Sequence, residues 1–189
     1  EVAQKAPLLV RQGLKETLPS HAEFAAEMAR QVVFEAYGEE AYTRGLTVWT
    51  TLRRGDQEAA YAAIRRGLLD YDRRHGYRGP EAFVNLPADP AAADAALERV
   101  FQEHFDSDNL LAAVVLDASP GEVTAVLASG DTATVAGDGL RFAARSLQDK
   151  AAPNLRIRRG AVIRLAKDDK GRWAIAQVPL AEAAFVAID

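Results

Sequence analysis

The stretch from Gly45 to Leu69 changes its hydrophobic period halfway, and this change constrains the fold more than any other feature of the sequence. Over residues 46–52, β-branched, apolar and aromatic residues follow a period of two, which predicts a strand. Over residues 57–69 the apolar positions recur every three or four residues, which predicts a helix. Because a strand and a helix in succession cannot bury all of their apolar surface alone, another part of the polypeptide must cover them.

The composition is that of an ordinary globular protein. The 189 residues are 49% hydrophobic and 26% charged, with a net charge of −4. This charge gives no general attraction for nucleic acid or for an anionic membrane. The sequence contains no cysteine, which excludes disulfides and thiolate metal ligands, and no apolar run approaches the roughly 20 residues that span a bilayer.

The amino-terminal half is expected to be a helical linker. Residues 1–20 show no sustained period, so we expect a linker segment there, and residues 21–109 should form a mainly helical region around the strand 46–52 and the helix 57–69. Ser20 and Glu23 form a capping-box pattern that predicts the start of a first helix.

Three further signals divide the linker into elements. Gly38 is placed to end the first helix, and Asp89-Pro90 predicts the start of a later amphipathic helix. The charge-rich stretch 70–83, with its glycines and proline, is typical of a loop.

The carboxy-terminal half has the order of elements found in an OB barrel. Three short β runs (LLAAVVLDAS, EVTAVLA and TATVAG) precede a helical segment, and two more (AVIRLAK and WAIAQV) follow it. The predicted fold class is therefore α+β, with a five-stranded OB-like β-barrel over residues 110–180 and a strand over 181–189. Because the first residue is not methionine and the last predicted strand stops abruptly, we expect the chain to be part of a longer polypeptide.

Two regions resemble class A penicillin-binding proteins of the 1A type from Gram-negative bacteria. One is GLTVWTTLRRGDQEAAYAAIRRGLLDYDRRHGYRGPE with AEMARQVVFEAYGEEAYTRG before it, and the other contains SGDTATVAGDGLRFAARSL and NLRIRRGAVIRLAKD. The resemblance extends from about Phe24 to the end of the chain. It implies a peptidoglycan synthase in which the G-L-x-V-x-T-T strand and its helix join a glycosyltransferase to a D,D-transpeptidase. It also implies an inserted OB-like domain and a linker region at the edge of the transpeptidase.

The resemblance further implies a location and a set of partners. The chain would be the periplasmic portion of a single-pass inner-membrane protein that acts in cell-wall organisation and cell shape. Its partners would be the catalytic domains of the same polypeptide, and in addition peptidoglycan or an outer-membrane lipoprotein activator. The OB-like domain would have a docking or regulatory role, and no cofactor is expected.

No catalytic, cofactor-binding or metal-binding residue is assigned, because the motifs of the two enzymes are absent. The sequence has neither Ser-x-x-Lys nor Lys-Thr-Gly, so the chain alone should be inactive. Ser107-Asp108-Asn109 spells a transpeptidase motif but precedes the barrel, and we interpret it as a polar turn at a helix exit. Ser146 and Lys150 are one residue too far apart for the nucleophile motif.

Other polar residues suggest surface roles. The three histidines, His21, His75 and His104, are too scattered in the sequence to predict a metal or acid–base site. Asp70 and Asp72 could be paired carboxylates, although a solvated ion-pair cluster is the interpretation we favour. The best basic patch, Arg156, Arg158 and Arg159, is interpreted as an exposed loop beside a strand.

The alternative function is an OB-fold module for nucleic acid or another ligand. Strand binding by such barrels uses aromatic side chains on the second and third strands, and EVTAVLA and TATVAG contain none. From Leu111 onward the chain has ten Lys and Arg against nine Asp and Glu, a net charge of +1. We therefore expect no nucleic-acid partner.

The chain order also predicts how the barrel joins the linker. An inserted domain leaves from and returns to one place, so the strands 46–52 and 183–188 should lie side by side in one small sheet. The helix 57–69 should pack on this sheet through Ala60, Ile64 and Leu68. The opposite face would be open and would favour self-association.

Overall fold

The computed structural model describes residues 21–188, which divide into two compact units. The first unit comprises residues 21–65 and 187–188, and the second comprises residues 66–186. The predicted linker 1–20 and the predicted cap at Ser20 lie outside the described residues.

The first unit contains two complete helices and the beginning of a third. Helix α1 spans Glu23–Tyr37, α2 spans Glu40–Thr43, and α3 spans Arg54–His75, with the division between the units falling inside α3. Gly38 ends α1 as predicted: its φ of 55° suits glycine, and its N–H donates to Phe34 O over 2.7 Å.

The predicted strands 46–52 and 183–188 are not present, so the small sheet expected from them is wrong in this structure. Neither segment has assigned secondary structure. A strand requires a neighbour for its N–H and C=O groups, and no backbone hydrogen bond joins 46–52 to another segment within residues 21–188. Residues 187–188 nevertheless belong to the first unit, the unit from which the chain departed along α3.

Helix α3 is longer at both ends than the predicted helix 57–69. It continues through residues 70–75, which the sequence analysis placed in a loop because of their charge. Charge does not end a helix, and Arg73, Arg74 and His75 in the last turn are favourable beside the helix dipole. The helix ends at Gly76, whose φ is 84°.

The second unit contains all five β runs predicted over residues 110–180, together with a short additional strand. The additional strand β1, Ala82–Phe83, is followed by helix α4, Pro90–Glu103. The five predicted runs are β2 (Leu111–Ala118), β3 (Glu122–Leu127), β4 (Thr132–Ala136), β5 (Ala161–Lys167) and β6 (Trp173–Ala176). A 3₁₀ helix, Gly137–Leu147, takes the place of the predicted helical segment. At the start of α4, Asp89 accepts a hydrogen bond from Ala92 N, so the predicted cap is confirmed.

All pairings in this mixed helix and antiparallel-sheet unit are antiparallel, and both faces of β2 are covered. The sheet order is β1-β5-β2-β3-β4, and β6 also pairs with β5. On one face Ala113 and Val115 join the main core, while on the other Val114 packs in a cluster with Val100 and Phe101 of α4. Burial on both faces explains why the run LAAVV is continuously apolar rather than alternating.

The sheet is not closed into the predicted barrel. Among residues 21–188 no hydrogen-bonded ladder joins β4 to β6. The 3₁₀ helix packs against both strands: a Cβ on Gly139 would clash with Trp173 O and would lie 2.8 Å from a methyl of Val135. The helix thus covers the edge where the ladder would have formed.

This close approach predicts that Gly139→Ala destabilises the second unit. The added methyl group would meet backbone as well as a side chain, so we expect a loss of about 1–3 kcal/mol in the free energy of unfolding. Gly121→Ala is the matched control, because nothing lies within 4 Å of its Cβ position, and it should change stability by less than about 0.5 kcal/mol. Urea unfolding of both variants checks this, and equal stabilities would contradict it.

Candidate docking and junction sites

An open apolar groove in the first unit is a candidate docking surface. One wall is α1, which contributes small side chains including Ala25, Ala29 and Val33, and the other is the segment 46–52. Leu46, Val48, Thr50 and Leu52 all line the groove, which has a volume of about 400 Å³. We call it the α1 groove. The alternation seen in the sequence therefore determines which side chains face α1, although no strand forms.

Aromatic and aliphatic side chains beside the α1 groove are also exposed. Phe24, Met28 and Val32 lie on α1 at intervals of four residues, with 87%, 68% and 67% of their surfaces exposed. Trp49, which does not line the groove, is 90% exposed. An exposed apolar stripe along a helix, such as the one on α1, is typical of an interface.

The buried Arg164 of the second unit forms an ion pair that joins the residue before β1 to the end of α4. Arg164 of β5 donates from Nε to Glu81 Oε1 over 2.7 Å and from a terminal nitrogen to Oε2 over 2.8 Å. The other terminal nitrogen donates to Phe105 O over 2.6 Å, and His104 Nδ1 lies 2.9 Å from Glu81 Oε2. Burial opposes ionisation of Glu81, but the hydrogen bonds and charge of Arg164, aided by His104, hold its pKa below the usual value.

The carboxylate of Asp72 lies in a second buried polar network. Asp72 is 5% exposed and is bonded to Arg78 and Gln177. Asp70, in contrast, is exposed. The interpretation of Asp70 and Asp72 as one solvated cluster is therefore wrong for Asp72. Both residues lie in α3, and side chains two positions apart in a helix point to different sides of it.

The remaining residues considered in the sequence analysis have structural contacts. His21 stacks on Tyr61 with ring centroids 3.4 Å apart, and His75 Nδ1 lies 2.9 Å from Tyr71 O. Ser107 and Leu110 exchange two backbone hydrogen bonds, so Ser107-Asp108-Asn109 is the polar turn that we expected.

The predicted basic patch is occupied by contacts within the second unit. Arg156 pairs with Asp149 over 2.6 Å, the Arg158 guanidinium lies 4.5 Å from the centre of the Phe83 ring, and Arg159 donates to Leu116 O. The outward side of β4 presents Thr132 and Thr134 rather than aromatic residues. These features do not favour the nucleic-acid alternative.

The described helices include none that is long and apolar enough to cross a membrane. Within residues 21–188 no group of three or more histidines and carboxylates is arranged to hold a metal ion.

Replacement of Glu81 by glutamine should destabilise the second unit in a pH-dependent way. Near neutral pH the loss should be roughly 2–4 kcal/mol, because Arg164 is 6% exposed and loses its counter-charge. Since the pKa of Glu81 is lowered in the folded state, its stabilising effect is present above its unfolded pKa and disappears as pH falls through the folded value. Urea unfolding from pH 7 to pH 3 should show the two proteins converging. The exposed Glu122→Gln is the control, and a pH-independent difference would contradict the prediction.

Comparisons with known proteins agree on one family. The model of the penicillin-binding protein OB-like domain matches residues 77–181. Penicillin-binding protein 1A of Neisseria lactamica is 41% identical over 167 residues, which cover 88% of this chain and 21% of that protein. Penicillin-binding protein 1A of Escherichia coli K12 is 34% identical over 176 residues, 89% of this chain and 20% of that protein. The chain thus spans about a fifth of the length of these relatives.

A solved structure gives the same result. The crystal structure of penicillin-binding protein 1A from Haemophilus influenzae aligns with a TM-score of 0.66 and 30% identity, over 84% of this chain and 22% of that one. The resemblance found in the sequence is confirmed, and the chain belongs to the penicillin-binding protein family through its OB-like domain.

Proposed function

We propose that this chain is the non-catalytic interdomain segment of a bifunctional peptidoglycan synthase. In this proposal it connects a glycosyltransferase to a D,D-transpeptidase and offers a docking surface to the catalytic domains of the same polypeptide. The relatives support the assignment, because each is about five times longer than the matched region. The synthase would be anchored in the inner membrane by a single span, with this segment in the periplasm.

The observation that best supports the linking role is the unpaired backbone of the segment 46–52 in the first unit. The segment 46–52 has a strand-like alternation of side chains, but none of its backbone groups pairs with another segment among residues 21–188. An extended segment whose backbone N–H and C=O groups lack a neighbouring strand is less stable than a paired one. A strand from elsewhere in the polypeptide would supply the missing hydrogen bonds and cover the α1 groove.

The order of the two units along the chain supports the same proposal. Residues 187–188 return to the first unit, while residues 66–186 form the second. This is the arrangement expected when a domain is inserted into another one. Phe185, Val186 and Ile188, at 62%, 78% and 89% exposed, would then be buried by the transpeptidase to which they lead.

The second unit would present the surface for further partners. Peptidoglycan and, in some lineages, an outer-membrane lipoprotein activator are the partners that the resemblance implies. Self-association through the exposed apolar surface of the first unit is a further part of the proposal.

The isolated chain should not react with a β-lactam. The chain has no Ser-x-x-Lys and no Lys-Thr-Gly, so no serine is activated for acylation. After incubation with penicillin, intact mass spectrometry should show the unmodified mass, while full-length penicillin-binding protein 1A from Escherichia coli acquires one adduct. A stoichiometric adduct on this chain would contradict the proposal.

The α1 groove should bind the transpeptidase part of a 1A-type relative added in trans. Ala29→Lys and Ala36→Lys form a matched pair, because both alanines lie on α1 and only Ala29 lines the groove. Burial of a lysine ammonium in an apolar interface is costly, so we expect Ala29→Lys to weaken the interaction roughly tenfold or more and Ala36→Lys to leave it unchanged. Calorimetry with the Neisseria lactamica transpeptidase part measures both. Absence of binding by the unsubstituted chain, or equal affinities for the two variants, would contradict docking in the groove.

A further inference from the structure

We propose that Asp72, Arg78 and Gln177 form a clasp that positions the segment leaving the second unit. This exit segment comprises residues 177–186, which follow β6. The clasp joins it to the end of α3, where the chain arrives. The proposal concerns only the second unit and holds whatever partner the protein has.

Both oxygens of the Asp72 carboxylate accept hydrogen bonds. Oδ1 accepts from a terminal nitrogen of Arg78, and Oδ2 accepts from Gln177 Nε2 over 2.6 Å. Asp72 and Gln177 are 105 positions apart in the chain, and both are buried. Hydrogen bonds to a buried carboxylate are strong, and a buried donor or a buried charge that loses its partner is costly. The position of the Asp72 carboxylate is therefore well defined.

Gln177 uses both ends of its amide. In addition to its bond to Asp72, Nε2 donates to Gly76 O over 3.0 Å, and Oε1 accepts from Arg78 N over 3.0 Å. Gln177 therefore binds the side chain of Asp72 in α3 and also the backbone of the turn that follows this helix. Few rotations of this side chain preserve all three bonds, so the clasp defines one geometry.

Arg78 closes the network on the other side. While one terminal nitrogen pairs with Asp72, the other donates to Val178 O over 2.7 Å. One guanidinium thus bridges the arriving helix and the departing backbone. Because the planar guanidinium holds its donors in a fixed arrangement, the direction of the chain at Val178 is coupled to the orientation of α3.

The arrangement of this network is suited to holding two segments of backbone in place. Its three side chains bind one another and the backbone at Gly76 and Val178. Loss of the clasp would leave the cores of the second unit intact, since none of the three residues belongs to them. The exit segment would then be free to move relative to α3.

The test uses spin labels in the full chain. The chain has no cysteine, so labels attached at Arg74→Cys and Glu182→Cys, both exposed positions, report one distance within the second unit. The unsubstituted clasp should give a single narrow distance distribution by pulsed electron paramagnetic resonance. Asp72→Asn should abolish the narrow distribution, because one oxygen becomes an amide donor that faces either Arg78 or Gln177, both of which are donors.

Two controls separate positioning from general stability. Asp70→Asn makes the same chemical change at an exposed position of α3 and should leave the distribution narrow. Glu81→Gln removes the carboxylate partner of the buried Arg164 and should also leave the distribution narrow, although the unit becomes less stable. A distribution that stays narrow in Asp72→Asn, or widens equally in Glu81→Gln, would overturn the proposal.

A substitution at Gln177 tests its part in the clasp. Gln177→Glu places a carboxylate oxygen where Nε2 donates to Asp72 Oδ2 and to Gly76 O, so three acceptors would face one another and the narrow distribution should broaden. A distribution that stays narrow in this variant would overturn the proposal. If Asp72→Asn does not fold by circular dichroism, Gln177→Ala gives the same readout, because it leaves Asp72 paired with Arg78.

Discussion

The second unit depends on β5, which pairs with three other strands. It pairs with β2 along one edge, while β1 and β6 share the other edge. Its apolar side chains join the core on both faces of the sheet, through Ile163 on one face and Val162 on the other. The same strand carries Arg164, whose guanidinium holds Glu81 and the backbone at Phe105. One strand thus organises both the packing and the main buried ion pair.

The polar networks around Arg164 and Asp72 connect distant segments of this unit. Glu81, His104 and Arg164 join the region before β1 to the end of α4 and to the sheet. Asp72 and Gln177 join the beginning of the unit to its end. A buried carboxylate requires donors wherever it occurs, and here those donors come from distant parts of the chain. Such pairings specify one arrangement of the segments.

The first unit differs because part of its apolar surface has no cover among the described residues. The segment 46–52 presents its alternate side chains to α1 but has no paired backbone. A strand acquires its stability from neighbouring strands and from burial of its side chains. The two units differ in this respect: the strands of the second unit pair with one another around a core, whereas the segment 46–52 has no backbone partner among residues 21–188.

The sequence by itself determined most of the local structure and the family. Periodicity and turn residues located the strands β2 to β6, Gly38 and Asp89 marked helix ends, and the pattern around GLTVWTT identified the family. Only the tertiary structure decided that the sheet is open, that α3 continues to His75, and that the buried Asp72 and Arg164 have partners about 100 and 80 positions away. Local patterns reflect short-range steric and hydrophobic preferences. Burial of a charge and the pairing of a strand depend on residues distant in the sequence, which no local pattern contains.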